Sequence, residues 1–414
     1  MSSATSTESR RSGRGIGASR QRLRVLFFVE GFTDIRFVVG LSEVCDLTMA
    51  VPARSYAASA LDTRVMESGA SLTVHEIPGS RLEFQARSLA YLWRVAKDFD
   101  VILSQEVLRG SLNATLIGAI RGVPVVTFMA IAPVEYFRCR RERGQIGAVS
   151  AWAGEFVVRT LMAINGRLAT TCLALGPYLR TLASRVCART EMAYYYGVDV
   201  GLFCPADEAE RPQLRRRLHL PLGTFLIVLA SRISHEKDPE TVLKAVAGAR
   251  ALGLDAVLLN LGGGYEQFLE LARSLGLPDT SQWVLGRPAA HPMKELADYF
   301  RAADVLVQAS LEEGLGLSPL EALACDTPVV ATAVGGMAAH LGPYATLTPR
   351  RDVEAMTQAL LDIGADPRRA RAEAASGREY VRAQWSREKA FQELRAALER
   401  AAGVTGSSQV KEAA

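Results

Sequence analysis

The sequence predicts two doubly wound α/β domains in tandem, with a ligand cleft between them. Strand-like apolar runs alternate with amphipathic helical stretches along most of the 414 residues, which is typical of successive βαβ units. The runs are continuously apolar rather than alternating, which favours parallel sheets covered by helices on both faces. The pattern is interrupted between residues 197 and 221, where three prolines and mixed charges predict the connection between the domains.

The strand-like runs are distributed over two series. The first comprises residues 23–29, 46–51, 71–77, 100–105, 123–129, 170–175 and 191–196; the second comprises 224–231, 255–262, 281–286, 304–310 and 327–332. We therefore expect a first domain over 23–205, a second domain over 206–375 and a C-terminal helix over 376–402. Composition predicts disordered tails, the first basic, over 1–22 and 403–414.

Charge and cysteine usage exclude several classes of function. The net charge of +4 is small for this length, so nucleic acid is not an expected partner. The six cysteines show no metal-ligand or redox spacing, which suits a reducing cytoplasm. No signal peptide is recognisable, and no window of about 20 apolar residues is free of charge, so a membrane span is not expected. A cytoplasmic protein follows, either free or peripheral at the inner face of the membrane.

Two neighbouring segments leave that membrane contact open. Residues 148–182 are apolar but broken by three arginines, which fits either packed domain helices or an interfacial helix surface. A basic cluster precedes residues 148–182. It could form a solvated face, a contact with an acidic acceptor or a contact with the membrane surface. Its members are Tyr136, Phe137, Arg138, Arg140, Arg141 and Arg143.

The most informative stretch is 303–332, where a strand, a loop with two glycines, a helix and a second strand follow one another. Unpaired N–H groups and the helix dipole make such a helix N-terminus an anion site. Glu313 in the loop and Glu321 in the first helical turn can accept hydrogen bonds from hydroxyls, so the pattern indicates a nucleotide sugar as ligand. Alternatively, Glu321 completes a capping box with Ser318. Glu313 has no such structural role, and Glu312 is expected to be solvated.

Other candidate ligand groups follow strands of the same predicted sheet. Arg232 and Lys237 come after its first strand and supply two positive charges for a diphosphate, unless they are simply surface cations. The glycines at 262–264 follow the next strand and allow either close backbone approach or a tight turn. Val284 and Leu285 lie at a strand end whose backbone could pair with a base.

The first domain offers one comparable loop, residues 30–33, which follows its first strand. Gly31 in that loop is predicted to serve as a ligand contact, a hinge or a cap. Asp34 is predicted to cap the helix behind it. The five histidines show no paired metal spacing and are expected to be structural.

Several separated motifs resemble those of the retaining family 4 glycosyltransferases, which have the GT-B fold. The segment from Glu313 to Glu321 resembles the family's two glutamates spaced by seven residues, and Arg232 and Lys237 resemble its diphosphate-holding pair. Gly262 to Glu266 resembles its glycine turn. Further matching segments are Tyr196 to Pro205, Thr327 to Thr332, Gly335-Gly336 and Gln384 to Ser386. The resemblance is strong over 196–400, whereas only the fold pattern supports it over the first domain.

The resemblance implies a metal-independent, retaining enzyme with two Rossmann-like domains, an acceptor domain over 23–205 and a nucleotide-sugar donor domain over 206–375, and a C-terminal helix that crosses back to the first. Arg232 and Lys237 would stabilise the leaving diphosphate, Glu313 would hold the transferred sugar, and Glu321 would hold the ribose. The remaining predicted donor-binding residues are Gly31, Gly263, Val284, Leu285, Gly314, Leu315, Gly316 and Leu317.

The resemblance also defines the expected partners. The donor would be a UDP- or GDP-linked sugar, and the acceptor a glycan, a lipid-linked molecule or a small molecule, as in bacterial glycoconjugate biosynthesis. No cofactor is expected, and the oligomeric state is not determined.

The chain departs from the family pattern at two places. Leu315 stands where the family usually has an aromatic residue, and the apolar run 128–131 stands where many relatives place a histidine near the transferred sugar. Two other functions stay open: a nucleotide-sugar epimerase on the same fold, or a noncatalytic nucleotide-sugar-binding partner subunit.

Overall fold

The first half of the chain folds around a seven-stranded sheet in which every strand pair is parallel. The computed structural model describes residues 22–31, 33–58, 60–142, 144–287 and 293–404. The strands are β1 (Arg24–Phe28), β2 (Asp46–Pro52), β3 (Leu72–Ile77), β4 (Val101–Ser104), β5 (Val125–Met129), β6 (Thr171–Leu175) and β7 (Thr190–Ala193). Their order in the sheet is β3-β2-β1-β4-β5-β6-β7.

Helices connect these strands. They are α1 (Ile35–Val44), α2 (Ala53–Ala58), α3 (Leu61–Ser68), α4 (Arg81–Val95), α5 (Arg109–Arg121), α6 (Pro133–Glu142), α7 (Ala148–Leu168) and α8 (Gly176–Ala183), with a 3₁₀ turn at Ala96–Asp98. Local sequence fixes several helix starts. Asp34 accepts a hydrogen bond from the Arg36 N–H and so caps α1 as predicted, and Ser80 with Glu83 forms a capping box at α4.

The second domain repeats the architecture around six parallel strands. These are β8 (Phe225–Leu229), β9 (Ala256–Asn260), β10 (Val284–Gly286), β11 (Val305–Gln308), β12 (Val329–Thr332) and β13 (Thr346–Thr348), in the order β10-β9-β8-β11-β12-β13. Its helices are α9 (Glu210–Arg217), α10 (Pro239–Ala251), α11 (Tyr265–Ser274), α12 (Thr280–Trp283), α13 (Met293–Ala302), α14 (Leu317–Ala324), α15 (Gly335–His340) and α16 (Val353–Ala365), with a 3₁₀ turn at His235–Lys237. The predicted fold class is thereby confirmed.

The chain ends in two helices, α17 (Pro367–Gln384) and α18 (Arg387–Ala401), rather than in the single helix predicted over 376–402. Ser386 caps α18 and also pairs with Val198 in the connection between the domains. Helix α18 packs on α1, β5 and β7, so it crosses back to the first domain as expected. Its Phe391 ring lies 6.3 Å from the Phe37 ring in the first-domain core.

Three strand predictions differ from the structure. The run 191–196 is strand only to Ala193, because the following tyrosines turn toward the domain connection. Residues 281–283 belong to α12, whose Trp283 is buried in the second core. Strand β13 was not predicted, since three residues rich in threonine carry almost no pattern. Most of the predicted tails, together with Phe32, Arg143 and His291, lies outside the described residues.

Candidate functional site

The second sheet brings two predicted ligand loops together at the point where its strand order reverses. Strands β8 and β11 are neighbours, and the chain leaves them toward opposite sides of the sheet. Open α/β sheets bind ligands in the crevice that such a reversal creates at the carboxyl ends of the strands. The loop after β8 carries Arg232 and Lys237, and the loop after β11 carries Glu313.

Lys237 and Glu313 form the centre of this arrangement. The Lys237 Nζ donates to the Glu313 Oε2 at 2.7 Å, and the Gln308 amide donates to the same oxygen at 2.7 Å. Burial opposes the charge on Lys237, but the Glu313 carboxylate outweighs it and raises the pKa of Lys237. Lys237 therefore keeps its charge and places an ammonium group at the switch point.

Arg232 lies on the rim of the site. Its side chain is 75% exposed and donates to Glu236 at 3.2 Å. The Leu311 N–H donates to the Glu236 carbonyl oxygen at 2.7 Å, which ties the β8 loop to the β11 loop. Arg232 is thus available to a ligand, whereas Lys237 is already held by Glu313.

The glycine loop between Glu313 and α14 also touches the first domain. A Cβ on Gly314 would lie 2.8 Å from the Ala130 carbonyl oxygen, so only glycine fits where the end of β5 meets this loop. Gly316 adopts φ +92° as the residue before α14. The carboxyl edges of the two sheets therefore face each other across the cleft.

Leu315 and Leu317 have different surroundings. The Leu315 side chain is buried and packs against Gly176 of the first domain, so its backbone is what a ligand would meet. The His340 ring nitrogen Nε2 donates to the Leu315 carbonyl oxygen at 2.9 Å, and burial lowers the pKa of His340. Leu317 is half-buried at the first position of α14.

The capping box considered as an alternative role for Glu321 is absent. Helix α14 begins one residue before Ser318, so Ser318 is the second helical residue and donates instead to the Ala230 carbonyl oxygen at 3.1 Å. The Glu321 side chain is 5% exposed and accepts from the Arg36 Nη1 of the first domain at 2.8 Å. Burial raises the pKa of Glu321, and Arg36 opposes that rise.

Arg36 was missed by the sequence reasoning and is the central residue of the interdomain contact. Its guanidinium also binds Asp34 at 2.9 Å and lies over the Tyr196 ring, 3.9 Å from the centroid. Burial opposes its charge, but Tyr196, Glu321 and Asp34 raise the pKa of Arg36. No local pattern signals this role, because the pair with Glu321 spans 285 residues of sequence.

The prediction that Glu312 is solvated is also wrong. Its side chain is half-buried beside the site, in a cavity shared with Tyr178, Glu135 and Arg350. Burial and the neighbouring Glu313 carboxylate raise the pKa of Glu312 to about 7. Glu312 therefore changes charge near neutral pH, directly beside the Lys237–Glu313 pair.

The other predicted donor residues lie on β10 or directly after β9. Gly263 accepts from the Ile233 N–H at 2.9 Å, so the glycine turn packs against the loop that carries Arg232. Val284 is buried, and its carbonyl oxygen accepts from the Tyr265 hydroxyl at 3.1 Å. Leu285 is half-buried. Gly263 follows β9 and so lies at the carboxyl edge, whereas Val284 and Leu285 are the first two residues of β10 and lie within the sheet, not at the predicted strand end.

Gly31 lies elsewhere, in a cavity of about 680 Å³ built from the first domain. The residues that line this cavity follow β1, β2, β3 and β4, and they include two carboxylates that the sequence reasoning did not select as site residues, Glu30 and Glu106. Arg109 donates to Glu30. Glu30 and Glu106 could have been selected from the sequence, because each follows an apolar strand of a parallel sheet.

Neither a metal-binding cluster nor a membrane-spanning helix is found among the described residues. No group of three or more His, Cys, Asp or Glu side chains is arranged there to hold a metal ion. In the same residues, no helix combines the length and apolar character that crossing a bilayer requires.

Comparison with known proteins assigns the chain to a family. The family described as Glycosyl transferases group 1 matches residues 210–380. The D-inositol 3-phosphate glycosyltransferase 1 of Catenulispora acidiphila is 32% identical over 294 residues, which is 68% of this chain and 67% of that protein. The chain belongs to the glycosyl transferases group 1. A second relative, the D-inositol 3-phosphate glycosyltransferase of an Arthrobacter species, is 40% identical over 147 residues, 34% of this chain and 33% of that protein.

Solved structures place this glycosyltransferase in the same fold. Anabaena HepE, solved in complex with UDP-glucose, has a TM-score of 0.72 at 16% identity and covers 91% of this chain and 100% of its own. WaaG, a glycosyltransferase involved in lipopolysaccharide biosynthesis, has a TM-score of 0.67 at 14% identity and covers 92% of this chain and 99% of its own. The expected GT-B architecture is confirmed.

Proposed function

We propose that this glycosyltransferase moves a sugar from a nucleoside-diphosphate sugar to an acceptor hydroxyl with retention at the anomeric carbon. The observation that carries the proposal is the Lys237–Glu313 pair at the switch point, 2.7 Å between Nζ and Oε2, with Arg232 exposed on the rim. A diphosphate leaving group develops negative charge in the transition state, and fixed cations at that position stabilise it. We assign Glu313 to accept hydrogen bonds from hydroxyls of the transferred sugar.

In the proposed reaction, the bond from the anomeric carbon to the diphosphate oxygen breaks and a bond to the acceptor oxygen forms on the same face. The acceptor proton passes to the leaving phosphate oxygen, so no separate base is required. Lys237 and Arg232 hold the diphosphate, and the N-terminus of α14 adds backbone N–H groups. These charges support a metal-independent mechanism, with UDP or GDP as the nucleotide and UDP favoured by the HepE complex.

The relatives support a particular acceptor class. They are named for D-inositol 3-phosphate, which is a phosphorylated polyol. We propose an acceptor of that chemistry, in preference to a glycan or a lipid-linked molecule, because Arg54, Arg81 and Arg109 line the first-domain cavity.

The test measures nucleotide binding first, and then donor hydrolysis and sugar transfer. Thermal shifts with UDP, GDP, ADP and TDP identify the nucleotide, and its sugars are then tested for hydrolysis and transfer. Glu313→Gln should lower turnover at least tenfold while nucleotide affinity stays within a few-fold, with Glu270→Gln on the exposed face of α11 as the control. Binding without hydrolysis would indicate a noncatalytic subunit, and an epimerised donor without transfer would indicate an epimerase. The anomeric configuration of the product, read by NMR, tests retention.

We also propose peripheral contact with an anionic membrane through α7. Val149, Trp152, Phe156 and Val157 share one face of this helix and are between 53% and 80% exposed. Arg159 and Arg167 flank that apolar face, which suits anionic lipid headgroups.

Vesicle co-sedimentation tests this contact. The protein should sediment with phosphatidylglycerol vesicles and remain free of phosphatidylcholine vesicles, and Trp152→Ser with Phe156→Ser should abolish sedimentation. Trp93→Ser is the control, because Trp93 is equally a surface tryptophan but lies on α4 beneath Arg121. Equal sedimentation of both variants would contradict the contact.

A further inference from the structure

Helix α15 packs directly against the glycine loop between Glu313 and α14. The Gly336 N–H donates to the Glu313 carbonyl oxygen at 2.8 Å. A Cβ on Gly336 would lie 2.0 Å from the Gly314 carbonyl oxygen, so only glycine allows this approach. At the other end of the helix, the His340 Nε2 donates to the Leu315 carbonyl oxygen at 2.9 Å. Three successive carbonyls of the glycine loop therefore face α15.

The direction of these carbonyls determines the direction of the N–H groups that follow them. A trans peptide is planar, so the N–H of each residue points opposite to the carbonyl of the residue before it. The N–H groups of residues 314–316 therefore point away from α15. All three residues are buried, and no hydrogen bond from their N–H groups is found within the described part of the chain. Buried N–H groups without partners are costly, and successive ones that share a direction form an anion site.

These N–H groups lie beside the two cations of the donor site. Glu313, whose carboxylate accepts from the Lys237 Nζ at 2.7 Å, begins the glycine loop. Ser318, in the first turn of α14, donates to the Ala230 carbonyl oxygen at 3.1 Å, directly before the loop that carries Arg232. A diphosphate bound by the two cations would therefore also meet the N–H groups. Their direction decides how well they donate to it, because a hydrogen bond weakens steeply as its angle departs from linear.

The contact from His340 depends on a side chain, whereas the contact from Gly336 is backbone alone. His340 is 7% exposed and lies on the α15 side of the loop, so it acts on a ligand only through the loop. Burial lowers the pKa of His340, which keeps the ring neutral at pH 7. A carbonyl oxygen accepts but does not donate, so Nε2 carries the proton of the neutral ring and Nδ1 is an acceptor. The Tyr380 hydroxyl, 3.3 Å from this Nδ1, donates to it.

A cluster of aromatic rings holds the imidazole in this orientation. Tyr380 belongs to α17, and its ring stacks on the Tyr344 ring with 4.3 Å between centroids. The Trp385 ring, directly after α17, lies 5.2 Å from the His340 ring. The same tryptophan lies 5.2 Å from the Tyr194 ring of the first domain. The hydrogen bond to the glycine loop is therefore supported by the segment that leads into the crossing helix α18.

We propose that His340 is a positioning residue for the donor diphosphate, because it holds the Leu315 carbonyl against α15 and so directs the Gly316 N–H toward the leaving group. Tyr380 fixes the orientation of the imidazole through Nδ1. The leaving diphosphate then gains backbone hydrogen bonds where its negative charge develops. This inference rests on the proposed function, and it gives a role in donor binding to a histidine that the sequence predicts to be structural.

Three probes separate the diphosphate site from the rest of the nucleotide site. They are UDP, inorganic pyrophosphate and uridine, measured by calorimetry, with GDP and guanosine in place of the uridine pair if the donor screen selects GDP. His340→Leu removes the donor to the Leu315 carbonyl and should weaken UDP and pyrophosphate binding about tenfold, as for one misdirected hydrogen bond to a charged phosphate. Uridine affinity should change by less than about twofold. His340→Gln, whose amide nitrogen can take the place of Nε2, should recover most of the lost UDP affinity.

The two stacked tyrosines provide a matched pair of variants. Tyr380→Phe keeps the ring but removes the hydroxyl that donates to His340, and it should weaken UDP binding about threefold. Tyr344→Phe removes the other hydroxyl, for which no hydrogen bond is found among the described residues, and it should leave UDP affinity unchanged. This pair keeps the inference testable if His340→Leu does not fold, because each tyrosine variant retains its ring in the cluster.

Each contrary result has its own meaning. Wild-type pyrophosphate affinity in His340→Leu would overturn the positioning role, and so would an equal loss of UDP and uridine affinity, since that indicates general damage to the site. A His340→Gln variant as weak as His340→Leu would overturn the hydrogen bond to Leu315 as the cause. Equal UDP affinities of the two tyrosine variants would overturn the role of Tyr380. A wild-type protein that binds no nucleoside diphosphate and hydrolyses no nucleotide sugar would instead contradict the proposed function itself.

Discussion

Replacing Arg36 by alanine should destabilise the protein by about 3–5 kcal/mol, because it leaves a buried charge without its partner. The Glu321 side chain is 5% exposed, and Arg36 donates to it at 2.8 Å. A matched control exists in Arg387→Ala, which removes a guanidinium that also bridges to α1, through Glu43 at 2.8 Å. The Glu43 side chain is 50% exposed, so water replaces the lost partner and the expected cost is about 0–1 kcal/mol.

The cost of Arg36→Ala should depend on pH in a defined direction. Burial already raises the pKa of Glu321, and removal of Arg36 removes the charge that opposes this rise. A carboxyl with a raised folded pKa disfavours its ionised form, so it destabilises the fold above its unfolded pKa and ceases to do so as pH falls and it becomes protonated. The destabilisation should therefore be larger at pH 8 than at pH 5.

Urea unfolding followed by circular dichroism at both pH values measures these differences for wild type and the two variants. A cost for Arg36→Ala no greater than that of Arg387→Ala would refute the argument that burial gives the Arg36–Glu321 pair its strength. A cost that grows toward pH 5 would refute the assignment of the penalty to an ionised Glu321. Arg36→Lys should recover part of the loss, since it keeps the charge but not the stacking on Tyr196.

Three further predictions concern the donor site. Arg232→Ala and Lys237→Ala should each weaken nucleoside-diphosphate binding by about tenfold or more. Only Lys237→Ala should also lower the melting temperature. Normal nucleoside-diphosphate affinity of both variants in calorimetry would contradict the assignment of these residues to the diphosphate. Glu312→Gln should be more stable than wild type by about 1–3 kcal/mol at pH 8 and equal near pH 4.5, because the raised pKa of about 7 makes ionised Glu312 unfavourable in the fold; an opposite trend in urea titrations would contradict this. Transfer should persist in EDTA, and loss of activity that manganese restores would contradict the metal-independent mechanism.

The sequence was sufficient to predict the fold because most strands of the two sheets are continuous apolar runs. Nearly every strand of both sheets coincides with such a run, and β8, with all five residues buried, is typical. The strand predictions were wrong where an apolar run is not a strand, or where a strand is too short to form such a run. Trp283 was assigned to a strand because it is apolar, but it belongs to α12, which packs it into the core. Strand β13 has too few residues to show any period.

The site was only partly predictable, and the division is physical. Lys237 and Glu313 could be inferred because each follows a strand, and parallel strands bring their carboxyl ends to one edge. The Arg36–Glu321 pair could not, because it joins two domains and leaves no local spacing. The capping box at Ser318 does not form because α14 begins one residue too early for it. Gly316, with its positive φ, precedes the helix, so α14 starts at Leu317 and Ser318 lies inside it.

The interdomain pair also constrains how a nucleotide would enter. The ribose hydroxyls proposed as ligands of Glu321 are neutral donors, so they cannot replace the positive charge that Arg36 supplies to a buried carboxylate. Arg36 occupies the Glu321 Oε1, and no hydrogen bond to the Oε2 is found in the described part of the chain. Ribose binding beside Arg36 therefore costs less than ribose binding in its place. On this argument, we expect the proposed nucleotide to bind with the Arg36 contact kept, so that the first domain would contribute to donor affinity through Arg36, a residue remote in sequence from the donor motifs.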